Sequence, residues 1–288
     1  MTDKEVLEER LKAYLPKDAG LASRLEEAMN YSFLAGGKRL RPRLMLETFT
    51  CFGGTDRSVE PFMAALEMIH SYSLVHDDLP CMDNDTLRRG KPTTWAVYGE
   101  DFGVLAGDGL LTYAFETAVK AFALCEDQKR VVRALEILSR KAGLFGMCGG
   151  QALDVYKAGK PLNKEELDFI FRLKTGALLE ASLMIGGALA GATEAELETL
   201  ERIGAAVGYA FQIEDDILDV TSTEEELGKP IGSDARNEKT TYVSLYGMEA
   251  SRRQVQALTD EALTLWRSLG RDTAQLEQMT AQLAGRKN

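Results

Sequence analysis

The feature that most constrains the fold of this chain is helical periodicity. Apolar residues recur at i, i+3 and i+4 over about 20–35, 42–52, 61–79, 99–125, 128–147, 164–190, 194–220 and 248–268, and the two-residue alternation of a half-buried strand is nearly absent. The punctuation agrees. Pro42 and Pro61 fall where the first turn of a helix tolerates a missing N–H. Thr193 with Glu196, ahead of Leu197 and Leu200, has the form of a capping box; Asn163 with Glu166, ahead of Leu167 and Ile170, is a looser version. No repeat, linker or low-complexity tract divides the chain. The expectation is one all-α domain over residues 1–288, with a polar loop at about 221–240.

Composition narrows the function classes. At 45% hydrophobic and 27% charged residues, the chain has the material for a packed core and is not a disordered segment. Its 34 Lys and Arg against 45 Asp and Glu leave a net charge of −11. That balance argues against nucleic acid as a partner, but not against a small anion held in a local basic pocket. No apolar run reaches the roughly 20 residues of a membrane span; residues 177–192 come nearest and are broken by Glu180 and glycines. Met1–Arg10 is charged from Asp3 onward and offers no apolar core for a secretory signal. Cys51, Cys81, Cys125 and Cys148 are too few and too spread for a disulfide scaffold, and no C-x-x-C pair suggests zinc. A cytoplasmic protein with reduced thiols is expected.

Two aspartate clusters carry the chemistry. The first is Asp77-Asp78-Leu79-Pro80-Cys81-Met82-Asp83-Asn84-Asp85; the second is Asp215-Asp216-Ile217-Leu218-Asp219. Asp215 and Asp219, four apart, share one helix face. Pro80 cannot continue a helix, so the first helix should end near Leu79, with Asp83 on the following turn. Both clusters sit at the C-terminal ends of apolar helices, where the macrodipole disfavours each carboxylate by ~0.3–1 kcal/mol and like charges on adjacent turns add to the cost. Something cationic should compensate. Oxygen donors without His or Cys suit Mg²⁺, which keeps waters and bridges one or two carboxylates to substrate phosphates. The bland alternative, two solvated helix ends, does not explain why each follows a strongly apolar helix. An EF-hand fails at Asp77–Asp85 for want of a Gly at the sixth position and a Glu at the twelfth.

The cations are grouped as a diphosphate site would require. Gly36-Gly37-Lys38-Arg39-Leu40-Arg41-Pro42 places three basic residues at a helix N-terminus, where free N–H groups already favour anions. Arg88-Arg89-Gly90-Lys91 follows the first cluster, and Lys174-Thr175, Lys229 and Lys239 complete the set. His70 lies two turns before Asp77 on the same helix face. His76, immediately before Asp77, has no assigned role.

On these residues the chain resembles the trans-isoprenyl diphosphate synthases, and within them the bacterial short-chain farnesyl diphosphate synthases. The resemblance runs through GGKRLRP (36–42), MIHSYSLVHDDLPCMDNDTLRRGKPT (68–93), GGQALD (149–154), KTGALLEAS (174–182), GYAFQIEDDILD (208–219) and KTTYVSLYG (239–247). It implies an isoprenoid-synthase-type helical bundle around a deep central cavity, a homodimer, and three Mg²⁺ per active site with diphosphate bound. Carried over by position, Asp77, Asp78 and Asp83 would ligate metal from one side of the cavity mouth and Asp215 from the other, with Asp216 and Asp219 supporting. Arg88, Lys174, Thr175, Gln212, Lys229 and Lys239 would contact the allylic substrate; Lys38, Arg41, His70 and Arg89 would hold isopentenyl diphosphate.

The implied reaction is the 1′-4 condensation of isopentenyl diphosphate with dimethylallyl and then geranyl diphosphate, giving farnesyl diphosphate. The allylic C–O bond ionises, the isopentenyl double bond attacks the cation, and the leaving diphosphate takes the released proton. Lys174, Thr175 and Gln212 are the expected catalytic set, Thr175 and Gln212 facing the cation with neutral oxygen dipoles. Tyr72, about 7.5 Å deeper along the helix than Asp77 at 1.5 Å per residue, is the expected floor that stops growth at fifteen carbons, aided by Pro80-Cys81. Ser73 is too small to block alone. The chain departs from the family pattern at Thr86, at Trp95 and in the tail from Met279, which lacks the usual aromatic and paired aliphatic residues. The alternatives are a geranylgeranyl diphosphate synthase, a non-catalytic partner subunit of a synthase, and a terpene cyclase. Complete Asp clusters argue against the partner subunit, and a second DDxxD in place of an Asn/Ser/Glu motif argues against the cyclase.

Overall fold

Among the residues described by the computed structural model, 3–221 and 240–285, secondary structure is helical except for one hairpin of two-residue strands. The elements used below are α1 (Asp3–Lys12), α2 (Ser23–Phe33), α3 (Leu40–Cys51), α4 (Val59–Asp77), β1 (Leu87–Arg88), β2 (Lys91–Pro92), α5 (Thr94–Tyr98) and α6 (Glu100–Ala118). There follow α7 (Gln128–Ala142), α8 (Met147–Tyr156), α9 (Lys164–Ile170), a π-helical turn (Phe171–Gly176), α10 (Ala177–Leu189), α11 (Glu194–Thr221), α12 (Tyr242–Tyr246), α13 (Met248–Ser268) and α14 (Ala274–Ala284). The predicted polar loop, with Lys229 and Lys239, lies outside the described residues. No helix among those described is long and apolar enough to cross a membrane.

The chain divides into two compact units, residues 1–46 with 55–135, and 47–54 with 136–288. In the first, α4 is the central rod. Every residue from Val59 to Ile69 is buried, as expected of a helix apolar on all sides. Phe62, Met63, Leu66, Met68 and Ile69 are fully buried, each worth about 1.5–3 kcal/mol of removed apolar surface. The partner helix α6 buries Gly103, Ala106, Gly107, Leu110 and Ala114. These are mostly small residues at helical spacing, which lets α6 approach α4 closely.

In the second unit α11 packs on α10 and α13. Leu167, Ile170, Phe171, Ala210, Ile213, Ile217 and Val255 form one apolar cluster there. All thirteen residues of α10 are buried, including Glu180, whose carboxylate pairs with Lys141. Both predicted capping boxes form: Glu166 N donates to Asn163 Oδ1 at 3.0 Å, and Thr193 N donates to Glu196 Oε2 at 2.8 Å.

The helix predicted over 164–190 is one coil in space but not one α-helix. The π turn at 171–176 inserts extra backbone without breaking the hydrogen-bonded path, so apolar spacing alone reads straight through it. Three longer helices escaped the periodicity reading. In α1 and α14 the buried stripe is only two or three residues long (Leu7, Leu11; Leu276, Met279, Leu283). In α8, Gly149 and Gly150 interrupt the apolar count.

Candidate active site

In the first unit the predicted basic residues converge. His70 on α4 is surrounded by the charges of Arg41, Arg89, Arg39 and Arg88; burial first, then those guanidiniums, hold its imidazole well below the usual 6.5. It is neutral at pH 7. Burial also pulls the Arg41 and Arg89 guanidiniums down, and each is lowered further by neighbouring arginines while Glu67 opposes. Arg41 Nε is buried without a hydrogen-bond partner among the described residues. A half-buried Arg41 guanidinium and an exposed Arg89 guanidinium beside a neutral imidazole form a ready anion site, because a bound anion relieves their repulsion.

The backbone is bent to bring these groups in. Arg89 has φ 54° and Gly90 φ 75° at the tip of the β1–β2 hairpin, the left-handed pair required by a tight two-residue turn. A non-glycine residue held there stores strain, which recurs at functional sites. The Arg89 guanidinium donates to Gly36 O. Gly37 leaves room for it, since a Cβ there would fall 2.7 Å from Nη1.

Two predicted residues behave differently. Arg39, counted among the N-terminal cations, is buried and already committed. Its Nη1 donates to Glu67 Oε1 at 2.8 Å, its Nε to Glu8 Oε1 at 2.8 Å and its Nη2 to Phe33 O. It ties the loop and α1 to α4. Lys38 is exposed.

The first Asp cluster closes α4. Asp83 N donates to Asp77 O, Asn84 N to Leu79 O and Asp85 N to Asp78 O, at 2.9, 3.0 and 3.1 Å. These bonds satisfy the carbonyl of Asp77 that ends the helix and the two that follow it, with Asn84 in the left-handed region. Asp78 is buried and receives Arg88 Nε at 2.7 Å and Nη2 at 2.6 Å. Burial pushes its carboxyl up, against the Arg88 guanidinium that holds it down. The structure thus pairs two residues expected to serve metal and substrate separately. The Asp77 side chain is half-buried and Asp83 exposed. The departures Thr86 and Trp95 serve this loop: Trp95 Nε1 and Thr93 Oγ1 both donate to Asp85 O at 2.8 Å, and Thr93 N donates to Thr86 O.

Tyr72 is buried, 6% exposed, and its hydroxyl-bearing ring meets His76 edge-on. Ser73 Oγ donates to His70 O at 2.9 Å.

In the second unit, Lys174 and Thr175 sit on the π turn. Thr175 Oγ1 donates to Gln212 Oε1 on α11. Lys174 Nζ reaches Asp154 Oδ2 at 2.6 Å. Gly150 permits this arrangement: a Cβ there would run into the Lys174 backbone. Gly208 lets α11 approach the same turn, since a Cβ would fall 2.6 Å from Gly176 Cα. Asp215 is half-buried, whereas Asp216 and Asp219 are buried. Asp216 Oδ2 accepts from Tyr242 N at 2.7 Å, so one carboxylate of the second cluster holds the N-terminus of α12.

Two residues of this chemistry were missed by sequence reasoning. Glu67 could have been found as an acid inside an otherwise apolar helix stretch, and Asp154 as the acid that ends GGQALD. Nothing local in the sequence shows which cation each one meets.

Among the described residues no three His, Cys, Asp or Glu side chains are gathered to hold a metal ion. The donors of both clusters are carboxylate oxygens only. That set fits a hard cation which takes one or two carboxylates and completes its shell with water and phosphate oxygens.

The polyprenyl synthetase family model matches residues 22–281. A farnesyl diphosphate synthase of Geobacillus stearothermophilus is 42% identical over 288 residues, covering 98% of this chain and 95% of the relative. A geranylgeranyl diphosphate synthase of Cyanophora paradoxa is 45% identical over 261 residues, covering 90% and 86%. A solved Helicobacter pylori geranyltransferase, complexed with magnesium and isoprenyl diphosphate, superposes with a TM-score of 0.84 at 37% identity and covers 97% of this chain and 93% of its own.

Proposed function

This chain is a member of the polyprenyl synthetase family and a prenyltransferase, and from that premise we propose that it makes farnesyl diphosphate from isopentenyl, dimethylallyl and geranyl diphosphates. The observation that carries the reading is the cluster of half-buried Arg41, exposed Arg89 and neutral His70, which presents two guanidiniums to a compact polyanion. It receives the isopentenyl diphosphate group, with exposed Lys38 at its edge. The allylic diphosphate falls to Arg88, Lys174, Lys229 and Lys239.

Asp77, Asp78 and Asp83 in one unit, and Asp215 with Asp216 and Asp219 in the other, are the proposed holders of Mg²⁺, three ions by family resemblance. When bound, the ions neutralise the diphosphate and make it a better leaving group. The chain's own groups do the rest. The allylic C1–O bond breaks with its electron pair leaving on the diphosphate. Because the Thr175 hydroxyl proton is donated to Gln212 Oε1, the Thr175 oxygen presents lone pairs, a neutral dipole able to stabilise the allylic cation. The isopentenyl double bond attacks C1, and the proton lost from the neighbouring carbon passes to the released diphosphate. The protein is proposed to act as a homodimer.

Product length rests on Tyr72. Relatives at similar identity are named for C15 and for C20 products, so a second reading is geranylgeranyl diphosphate synthesis. Incubation with isopentenyl and dimethylallyl diphosphates and Mg²⁺, followed by mass spectrometry of the dephosphorylated products, decides between them. A C15 alcohol supports the proposal; a C20 alcohol keeps the reaction and overturns Tyr72 as the floor; no product with dimethylallyl or geranyl diphosphate points to a non-catalytic subunit. Tyr72→Ala is expected to move the main product beyond C15. An unchanged product would remove Tyr72 from the chain-length role.

A further inference from the structure

His76 has no part in the chemistry above, yet its imidazole is fixed on several sides within the first unit. Its ring meets the Tyr72 ring, one turn earlier on α4, with centroids 5.8 Å apart and planes at 77°. Its Nε2 lies 3.0 Å from the Val104 carbonyl oxygen of α6. A carbonyl only accepts, so Nε2 carries the proton and donates. One turn beyond Val104, Gly107 packs directly on the imidazole, and a Cβ at that position would overlap Nε2 and Cδ2. The side chain therefore cannot shift toward α6, and its hydrogen bond to Val104 O orients the ring. Tyr72 rests against this fixed edge.

We propose that His76 is a positioning residue for product length: anchored on Val104 O and Gly107, it holds the Tyr72 ring where chain growth stops. The proposal rests on the reading of Tyr72 as the floor. It assigns a specificity role to the α4–α6 contact, through a residue that acts on product length by way of Tyr72. With His76 truncated, the Tyr72 ring gains space to turn aside and the floor recedes.

The test compares product lengths from wild type, His76→Ala, Tyr72→Ala, the double variant and Gly107→Ala, as the fraction of dephosphorylated product longer than C15. His76→Ala should raise that fraction about two- to ten-fold, the span of one aromatic pair contact. Gly107→Ala, distant in sequence from Asp77, should change the fraction as well, because its methyl displaces the imidazole. In the Tyr72→Ala background, His76→Ala should add nothing, since the residue it positions is gone. A general loss of rate from disturbing Asp77 does not enter, because the readout is a product ratio. If Tyr72→Ala lengthens the product while His76→Ala and Gly107→Ala keep the wild-type ratio, the role of His76 is overturned and that of Tyr72 stands. If His76→Ala lengthens the product equally with and without Tyr72, His76 acts elsewhere and the proposal also fails. If Tyr72→Ala itself leaves the ratio unchanged, the floor reading fails and takes this proposal with it.

Discussion

Asp77→Asn and Asp215→Asn are each expected to lower kcat by about 10²–10³-fold, the usual loss when one electrostatic stabiliser of a developing anion is removed. Neither should change the melting temperature much. Both side chains are only half-buried, and trading a crowded carboxylate for an amide relieves like-charge repulsion at both positions and, at Asp77, the last residue of α4, the unfavourable helix dipole as well. Asp216→Asn should behave differently. Its carboxylate accepts from Tyr242 N, a charge-assisted bond worth about 1.5–3 kcal/mol, so this variant should lose stability as well as activity. Steady-state turnover with geranyl and isopentenyl diphosphates, set beside calorimetric melting of each variant, separates the two behaviours. Full turnover by either Asp77→Asn or Asp215→Asn would remove that residue from the proposed metal-holding set.

The second large effect concerns stability. Lys141→Met should destabilise the protein by about 3–5 kcal/mol at neutral pH, because it leaves Glu180 as a buried charge without its principal partner. Lys141 Nζ bonds the Glu180 carboxylate and reaches Glu201 Oε1 at 2.6 Å, and the Glu180 side chain is 1% exposed. Burial pushes the Glu180 carboxyl above its ordinary 4.5, and Lys141 is the first group holding it down. A carboxyl raised in the folded state contributes stability that is present below its unfolded value and lost as pH rises through its folded value. Without Lys141 that rise is larger. The variant's deficit should therefore be small near pH 4.5 and grow toward neutrality. Urea unfolding at pH 5 and pH 7.5 measures it, and Glu180→Gln in the same background should recover part of the loss at the higher pH. An equal deficit at both pH values would show that lost packing, not the Glu180 charge, is responsible.

Most of the helices, and the residue types of the candidate site, were legible in the sequence because their causes are local. The end of α4 near Leu79 follows from Pro80, and the starts of α9 and α11 follow from side chains three residues apart that exchange hydrogen bonds with the backbone. The π turn was not legible. It keeps the apolar spacing on either side and betrays itself only where Gly150 and Gly208 come against it. Arg39 and Arg41, two residues apart in one basic motif, have opposite fates for a reason equally remote from their neighbours. Arg39 hydrogen-bonds directly to Glu67 and Glu8, whereas Arg41 only shares the field of Glu67 with Arg89.

The sequence by itself determined the all-α class, the carboxylate and guanidinium chemistry, and the family. Each depends on composition, on spacing within a few turns, or on ordered motifs. The tertiary structure alone decided which charges neutralise one another: Arg39 with Glu67, Lys174 with Asp154, Lys141 with Glu180, at separations of 28, 20 and 39 residues. It also decided that His76 meets Tyr72, Val104 and Gly107. Such pairings form only when segments distant in the chain pack together, and no periodicity within one helix records what the next will bring against it.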